Sequence, residues 1–174
     1  MKSTWDSDSQ DLVVENSNRI AIIAALFNND ITEVLVRSCV DTLCENGYTN
    51  DQVDIYWVPG VWEIPQTVKR LLYKENELVA ESDHHRIDGL VTIGCVIRGE
   101  TSHFEYVAGE ANSGLGEIAR SVDFPVIFGI LTTDTWEQAR KRAAEDEENK
   151  GRKFAKTALY MIKLFRRTRS RYSK

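Results

Sequence analysis

A strand, a turn and a helix start in the middle of the chain are the strongest constraint on the fold. Residues 88–97 form an apolar, β-branched run, typical of a strand that is buried on both faces. Residues 98–102 form a glycine-containing turn. The apolar residues after it recur at helical spacing, at Phe104, Val107, Ala108, Ala111 and Leu115. In this order, the three elements present backbone N–H groups to an anion in parallel α/β folds.

His103 is predicted to lie in the first turn of that helix, with Thr101 or Ser102 as its N-cap. A histidine in this position could move protons near neutral pH. The alternative is that His103 is an ordinary helix-start residue and that the turn is only a connection. The rest of the chain decides between these interpretations.

The remaining chain repeats the strand–helix pattern. Strands are predicted at 19–26, 53–58, 88–97 and 124–131. Helices are predicted at 31–46, from Pro65 through Leu72, from His103, from Thr132 and at 152–167. Gly47 is the expected C′ residue of the first helix. Four such units predict a three-layer α/β/α sandwich, with a four-stranded parallel sheet and helices on both faces.

Two boundaries in the second half of the chain follow from local motifs. Thr133 or Asp134 is expected to cap the fourth helix, with Glu137 three residues further on. The run Asn149-Lys-Gly151 is expected to break the fourth helix, so that the last helix begins at about Arg152.

The 174 residues fit one domain, predicted at 19–168, with an N-terminal arm at 1–18 and a basic C-terminal tail at 169–174. The net charge of −5 argues against general nucleic-acid binding, and the basic tail suits the end of a helix. No apolar run reaches the length of a membrane span, and the start of the chain is polar and acidic. We therefore expect a cytoplasmic protein.

Neither a metal site nor a cofactor is predicted. Cys39, Cys44 and Cys95 lack metal-ligand spacing and are interpreted as core residues with reduced thiols. His84 and His85 are adjacent, and neighbouring side chains rarely point at one ion. The charged segment 74–86 around them is interpreted as a solvated loop or a helix extension.

Unusual residues follow each predicted strand, where parallel sheets bind ligands. Phe27 and Trp62 could stack on a flat heterocycle, and Asn28 and Glu63 could bond a polyol. The turn at 100–101, with a nearby arginine, could hold a phosphate group. The convergence of four loops favours a ligand site.

Each of these residues also has a less specific interpretation. Phe27 and Trp62 could be core aromatics, and Arg142 lies in a basic helical run that is more often solvated surface.

Four stretches together identify a family. They are FN at 27–28 with IT at 31–32, VPGVWEIP at 58–65, GCVIRGETSHFEYV at 94–107 and PVIFGILTTDTWEQA at 125–139. In these stretches, and in their order over about 20–164, the chain resembles the 6,7-dimethyl-8-ribityllumazine synthase family. The resemblance implies a flavodoxin-like fold and the penultimate step of riboflavin biosynthesis. In that step, 5-amino-6-(D-ribitylamino)uracil condenses with 3,4-dihydroxy-2-butanone 4-phosphate, without metal or redox cofactor.

The resemblance also implies roles for individual residues. The residues implied to bind the pyrimidine and its ribityl chain are Phe27, Asn28, Val61, Trp62, Glu63, Val96 and Ile97. Those implied to bind phosphate are Gly99, Glu100, Thr101 and Arg142. His103 is the implied proton shuttle. Phe128 and Lys150 are implied to reach the site of an adjacent subunit, so the protein is expected to be a homo-oligomer.

Two departures from the family pattern modify these expectations. Trp62 stands where many relatives have phenylalanine, and its larger indole could hold a tricyclic flavin. Residues 143–148 carry alanines and acids where shell-forming relatives usually have glycines. A continued helix with repelling acids there favours a free pentamer over an icosahedral shell.

Two other function classes remain as alternatives. One is a flavin- or lumazine-binding storage protein, which would require neither His103 nor Arg142. The other is an unrelated phosphate-ester hydrolase on the same fold, for which the chain offers no paired-carboxylate metal site and no obvious nucleophile.

Overall fold

A computed structural model describes residues 14–15, 18–79, 87–144, 146 and 149–172. Its centre is a four-stranded, fully parallel sheet in the order β2-β1-β3-β4. The strands are β1 Arg19–Ala25, β2 Val53–Val58, β3 Ile87–Ile97 and β4 Val126–Thr133. In the register of the sheet, Ile22 of β1 pairs with Ile55 on one side and Val91 on the other. The predicted parallel sheet is confirmed.

Helices cover both faces of this sheet. They are α1 Asn29–Glu45, α2 Ile64–Val79, α3 His103–Ser121, α4 Trp136–Ala143 and α5 Lys150–Tyr172. Single 3₁₀ turns at Asn50–Gln52 and Val61–Glu63 precede β2 and α2, respectively. On β1, Ile20 and Ile22 pack with α1, α4 and α5, whereas Ala21 and Ile23 pack with α2 and α3. The three-layer α/β/α prediction is therefore confirmed.

The end of β4 and the start of α4 lie further along the chain than predicted. β4 runs to Thr133 because Thr132 and Thr133 still pair with Val96 and Ile97. Thr135 caps α4, and its side-chain oxygen accepts the backbone N–H of Gln138 at 3.2 Å. The prediction of Thr133 or Asp134 as the cap, with Glu137 as its partner, is wrong.

The connection between α4 and α5 is organised by Asn149, which is fully buried. Its Nδ2 donates to the backbone oxygens of Ala143 and Ala144, both at 2.9 Å. Its Oδ1 accepts the backbone N–H of Arg152 at 3.2 Å. The expected continuation of the helix beyond Ala143 is therefore wrong, because Asn149 takes the last free carbonyls of α4 and caps the start of α5.

Gly151 lies inside α5 rather than in a break before it. A Cβ at this position would come within 2.1 Å of the backbone oxygen of Leu35. Glycine therefore allows α5 to approach the backbone of α1. The predicted break between the two helices is present, since α4 ends at Ala143 and α5 begins at Lys150, but of the predicted run only Asn149 belongs to it. At its other end, α5 continues to Tyr172, into the predicted basic tail, and Arg169 binds Asp123 at 2.6 Å.

Several smaller predictions can be compared with the fold. Gly47 follows α1 with a φ of 100°, as expected of a C′ glycine. Cys39 and Cys95 are buried as predicted, but Cys44 is partly exposed, with its Sγ 3.5 Å from Oδ1 of Asn50.

Parts of two predicted segments lie outside the described residues. Of the arm at 1–18, residues 14, 15 and 18 are described, and the Gln52 amide donates to the backbone oxygens of Glu15 and Asn18 at 2.7 and 3.0 Å. In the segment 74–86, α2 extends as far as Val79, and His84 and His85 are not described. Within the described part of the chain, no helix is long and apolar enough to cross a membrane, and no three metal-ligating side chains cluster.

Candidate active site

A pocket of about 780 Å³ lies at the carboxyl ends of β1, β2 and β3. It is lined by Phe27, Pro59, Gly60, Val61, Trp62, Glu63, Cys95, Val96, Ile97, Gly99, Thr101, His103, Phe104, Tyr106 and Val107. From β1 the chain crosses to β2 on one side and then to β3 on the other, which makes this edge the switch point of the sheet. Three of the four predicted loops therefore converge here. The loop after β4 does not line the pocket.

The two predicted stacking residues are exposed in the pocket wall. Phe27 is 70% exposed and Trp62 is 48% exposed, so neither is a core aromatic. The backbone N–H of Phe27 donates to the backbone oxygen of Pro59 at 3.1 Å, which ties the loop after β1 to the loop after β2. Two aromatic surfaces on joined loops are suited to holding a flat ring.

The 3₁₀ turn Val61–Glu63 is seated against β3 through a glycine. Val61 is buried, and a Cβ at Gly94 would come within 2.5 Å of its Cγ2. Only glycine at position 94 leaves room for this side chain. The contact therefore sets the height of Trp62 and Glu63 above the sheet.

Asn28 has a left-handed backbone, with φ of 59° and ψ of 45°. Its Nδ2 donates to the backbone oxygen of Cys95 at 2.9 Å, which links the start of α1 to the end of β3. Asn28 is not among the residues that line the pocket. In this structure, the amide that was predicted to bond a polyol supports the pocket floor.

The turn after β3 leads directly into α3, which is the predicted strand–turn–helix order. Gly99 and Thr101 line the pocket, and His103 begins α3 at the pocket wall. Ser102 occupies the N-cap position but makes no side-chain cap bond, and the His103 N–H lies 3.5 Å from Oγ1 of Thr101. Glu100 faces a separate, more open surface depression.

The nearby arginine on this turn is already engaged. Arg98 binds Glu105 and Asp134, and its guanidinium lies 4.1 Å from the centroid of the Phe104 ring. In this structure its guanidinium is therefore paired with carboxylates.

Three predicted site residues lie elsewhere on the chain. Phe128 is 42% exposed on β4, an edge strand. Arg142 is exposed at the end of α4, and its Nη1 donates to the backbone oxygen of Gln138 at 3.0 Å. Lys150 begins α5 directly after Asn149, which binds the end of α4. One chain therefore does not bring these residues into its own pocket.

Cys95 lines the pocket but is not positioned to act as a nucleophile. It is buried, and desolvation raises the pKa of its thiol to about 11. The thiol is therefore neutral near pH 7. His103 and Glu63 are ionisable side chains that line the same pocket.

Some pocket residues were not anticipated from the sequence as ligand contacts. They are Pro59, Gly60, Cys95, Phe104, Tyr106 and Val107. The position of Tyr106 has a sequence signal, because it follows His103 by three residues and so shares its helix face.

A mainly aromatic and apolar pocket at a switch point, with a helix-start turn on one wall, defines a small-molecule enzyme site of the parallel α/β class. A sequence model of the 6,7-dimethyl-8-ribityllumazine synthase family matches residues 17–166. The chain belongs to this family, and the predicted resemblance is confirmed.

Three relatives described as 6,7-dimethyl-8-ribityllumazine synthases illustrate the similarity. The chain is 44% identical to the protein from Gemmatimonas aurantiaca over 149 residues, which cover 86% of this chain and 85% of the relative. It is 42% identical to the protein from Pediococcus pentosaceus over 144 residues, which cover 83% of this chain and 86% of the relative. It is 43% identical to the protein from Yersinia pestis strain Pestoides F over 156 residues, which cover 89% of this chain and 94% of the relative.

The left-handed backbone of Asn28 predicts an unusual order of substitutions. Asn28→Ala loses the bond to Cys95 and also forces alanine into the left-handed region, at a combined cost of about 2 kcal/mol. Asn28→Gly loses the bond but fits the backbone, so it should be more stable than the alanine variant by about 1 kcal/mol. Chemical denaturation at one fixed protein concentration measures both values.

Asn46 is a matched control for this test. Its Nδ2 donates to the backbone oxygen of Thr42 at 2.8 Å, but its φ is −105°. At Asn46, glycine should be no better than alanine. Equal losses for the two Asn28 variants would show that the left-handed backbone carries no cost.

Proposed function

We propose that the protein catalyses the condensation that characterises its family, the formation of 6,7-dimethyl-8-ribityllumazine in riboflavin biosynthesis. The family match over residues 17–166 carries this proposal. The substrates are 5-amino-6-(D-ribitylamino)uracil and 3,4-dihydroxy-2-butanone 4-phosphate. The 5-amino group forms an imine with the ketone and releases one water, phosphate is eliminated, and ring closure releases a second water.

The pyrimidine binds against the exposed faces of Phe27 and Trp62. On the opposite side it meets the backbone at Val96 and Ile97, the last two residues of β3. The ribityl chain extends along Val61 and Glu63, with Asn28 supporting the adjacent backbone. The pocket is large enough for both parts of this substrate.

The phosphate group binds at the turn formed by Gly99, Glu100 and Thr101. This turn offers backbone N–H groups at the start of a 19-residue helix, which favours negative charge. His103, at the same helix start, exchanges protons with the reacting groups during imine formation and elimination. The storage-protein alternative gives no role to either feature.

The site is completed by a neighbouring subunit, which contributes Phe128, Arg142 and Lys150. The bonds of Asn149 to the end of α4 keep the backbone at Arg142 and Lys150 together on one edge of the chain. These cations are suited to binding the phosphate from outside the pocket. An assembly with sites between subunits would supply cations to a turn whose own arginine, Arg98, pairs with Glu105 and Asp134.

The assembly we propose is a free pentamer. Helix α4 ends at Ala143, so the expected helix extension no longer supports this choice. The acidic run at 145–148 still does, because like charges repel where two pentamers would meet.

We also propose that the pocket retains riboflavin. Trp62 exposes nearly half of its surface in the pocket and offers a wider stacking face than phenylalanine.

The first test is a spectrophotometric assay with both substrates. Wild-type protein should form lumazine, and Arg142→Ala should lower kcat/KM on the order of 10²-fold, because a charge-assisted bond to phosphate is lost. Arg140→Ala is a matched control, since Arg140 is also exposed on α4. Its kcat/KM should remain within about twofold of wild type.

The remaining outcomes separate the possible interpretations of this assay. Turnover that Arg142→Ala leaves unchanged would keep the activity and move the phosphate anchor elsewhere. A folded oligomer with no turnover above background would contradict the proposed activity and favour the storage protein.

Riboflavin retention predicts quenching of flavin fluorescence at micromolar protein concentrations. Trp62→Ala should weaken this binding about tenfold, because stacking is lost. Trp57→Ala is the control, since Trp57 is also exposed but lies outside the pocket lining. Wild-type protein that does not bind riboflavin in the micromolar range would contradict this proposal.

The oligomer proposal predicts one main species in mass photometry. Five chains of 19.9 kDa give a particle of about 100 kDa. Detection of a capsid-sized particle, about twelve times heavier, would instead indicate an icosahedral shell.

A further inference from the structure

We infer that Arg98 is a positioning residue, which clasps the turn between β3 and α3 and holds Thr101 and His103 in place for the phosphate-bearing substrate. This inference rests on the proposed function. It gives Arg98 a role distinct from that of a phosphate ligand.

The clasp consists of three contacts from one side chain. Nε of Arg98 donates to Oδ1 of Asp134 at 2.9 Å, and its Nη1 donates to Oε1 of Glu105. The guanidinium carbon also lies 4.1 Å from the centroid of the Phe104 ring. Glu105 and Phe104 belong to the first turn of α3, and Asp134 lies between β4 and α4. The arginine that precedes the turn therefore joins both elements beyond it.

The turn itself makes few other contacts that could fix its shape. Its residues 99–102 are all exposed, and a Cβ at Gly99 would meet nothing within 4 Å. The 3.5 Å separation between the His103 N–H and Thr101 Oγ1 is at the limit of hydrogen bonding. The Arg98 side chain links the end of β3 to the start of α3 through its contacts with Glu105 and Phe104.

The backbone at Arg98 and at Asp134 is hydrogen-bonded to neighbouring elements. The backbone N–H of Arg98 donates to the backbone oxygen of Thr133 at 2.8 Å, which continues the pairing of β3 with β4. The backbone N–H of Asp134 donates to Oε1 of Gln138 at 3.0 Å. The backbone of both partners in the Arg98–Asp134 bond is therefore tied to secondary structure, and the bond from Nη1 of Arg98 to Glu105 connects α3 to them.

Arg98 also neutralises charge beside the proposed anion site. Its hydrogen bond is the main reason why the pKa of the Glu105 carboxyl is lowered. Without Arg98, the carboxylates of Glu105 and Asp134 would stand unpaired next to the turn. Because these ion pairs are exposed, they contribute little to global stability, and their effect is expected on ligand binding.

The test compares Arg98→Gln, Arg98→Lys and the control Arg70→Gln. Arg70 is also an exposed arginine near an aromatic ring, 5.8 Å from the Tyr73 centroid, but it lies on α2 outside the pocket lining. Arg98→Gln should raise KM for the butanone phosphate about tenfold and leave KM for the pyrimidine within about twofold. Arg98→Lys restores the charge without the fork, so it should recover only part of the loss.

The same variants are compared by calorimetric titration with inorganic phosphate. Arg98→Gln should weaken phosphate binding about tenfold, while Arg70→Gln should not change it. Unchanged KM and phosphate affinity in Arg98→Gln would overturn the inference. An equal rise in both KM values would also overturn it, since that indicates general loss of the site. Full recovery by Arg98→Lys would overturn it as well, because charge alone would then account for the effect of Arg98.

The titration keeps this test separate from the proposed activity. Wild-type protein that lacks turnover would contradict the proposed function alone. In that case, weaker phosphate binding by Arg98→Gln than by Arg70→Gln would still support the clasp, and equal binding would contradict it.

Discussion

The central position of β1 is the constraint on which the rest of the structure depends. β1 pairs with β2 on one side and β3 on the other, and its residues from Ile20 to Ala25 are completely buried. Because its side chains alternate between two helix layers, β1 belongs to both hydrophobic clusters at once. At its carboxyl end, the N–H groups of Leu26 and Phe27 bind the backbone oxygens of Val58 and Pro59. The pocket therefore begins where the most buried strand ends.

Two different kinds of contact hold the pocket walls. On the side of β2, Val61 packs into the space left by Gly94, which is close contact between apolar atoms. On the side of α3, Arg98 reaches Glu105 and Asp134 through exposed ion pairs, which salt and competing ligands can weaken. The wall on the side of β2, where the heterocycle is proposed to bind, is thus held by close packing of Val61 against Gly94. The wall assigned to phosphate depends on charge, which suits a group that must be bound and later released.

The sequence was sufficient for features that local pattern determines. Continuous apolar runs predicted the doubly buried strands, and β2 was predicted at 53–58, where the structure has it. The family motifs predicted most of the pocket lining. Features set by distant partners were missed. From the sequence, Thr133 and Thr135 are equally suited to cap α4. Thr133 is excluded as the cap only because it pairs with Ile97 and so belongs to β4, which leaves Thr135. The run around Gly151 is typical of a helix break, but the glycine is required because α5 lies against the backbone of Leu35 on α1.

The same limit applies to the proposed division of the site between subunits. Nothing in local pattern distinguishes a cation that serves its own pocket from one that serves a neighbour. In the structure, Asn149 binds the end of α4 and caps α5, so the backbone positions of Arg142 and Lys150 are fixed relative to each other before any subunit docks. A neighbour in the proposed oligomer would then receive both cations as one preorganised unit. Phosphate affinity would follow the fraction of assembled protein, and substrate binding would in turn stabilise the assembly, because the two equilibria are linked.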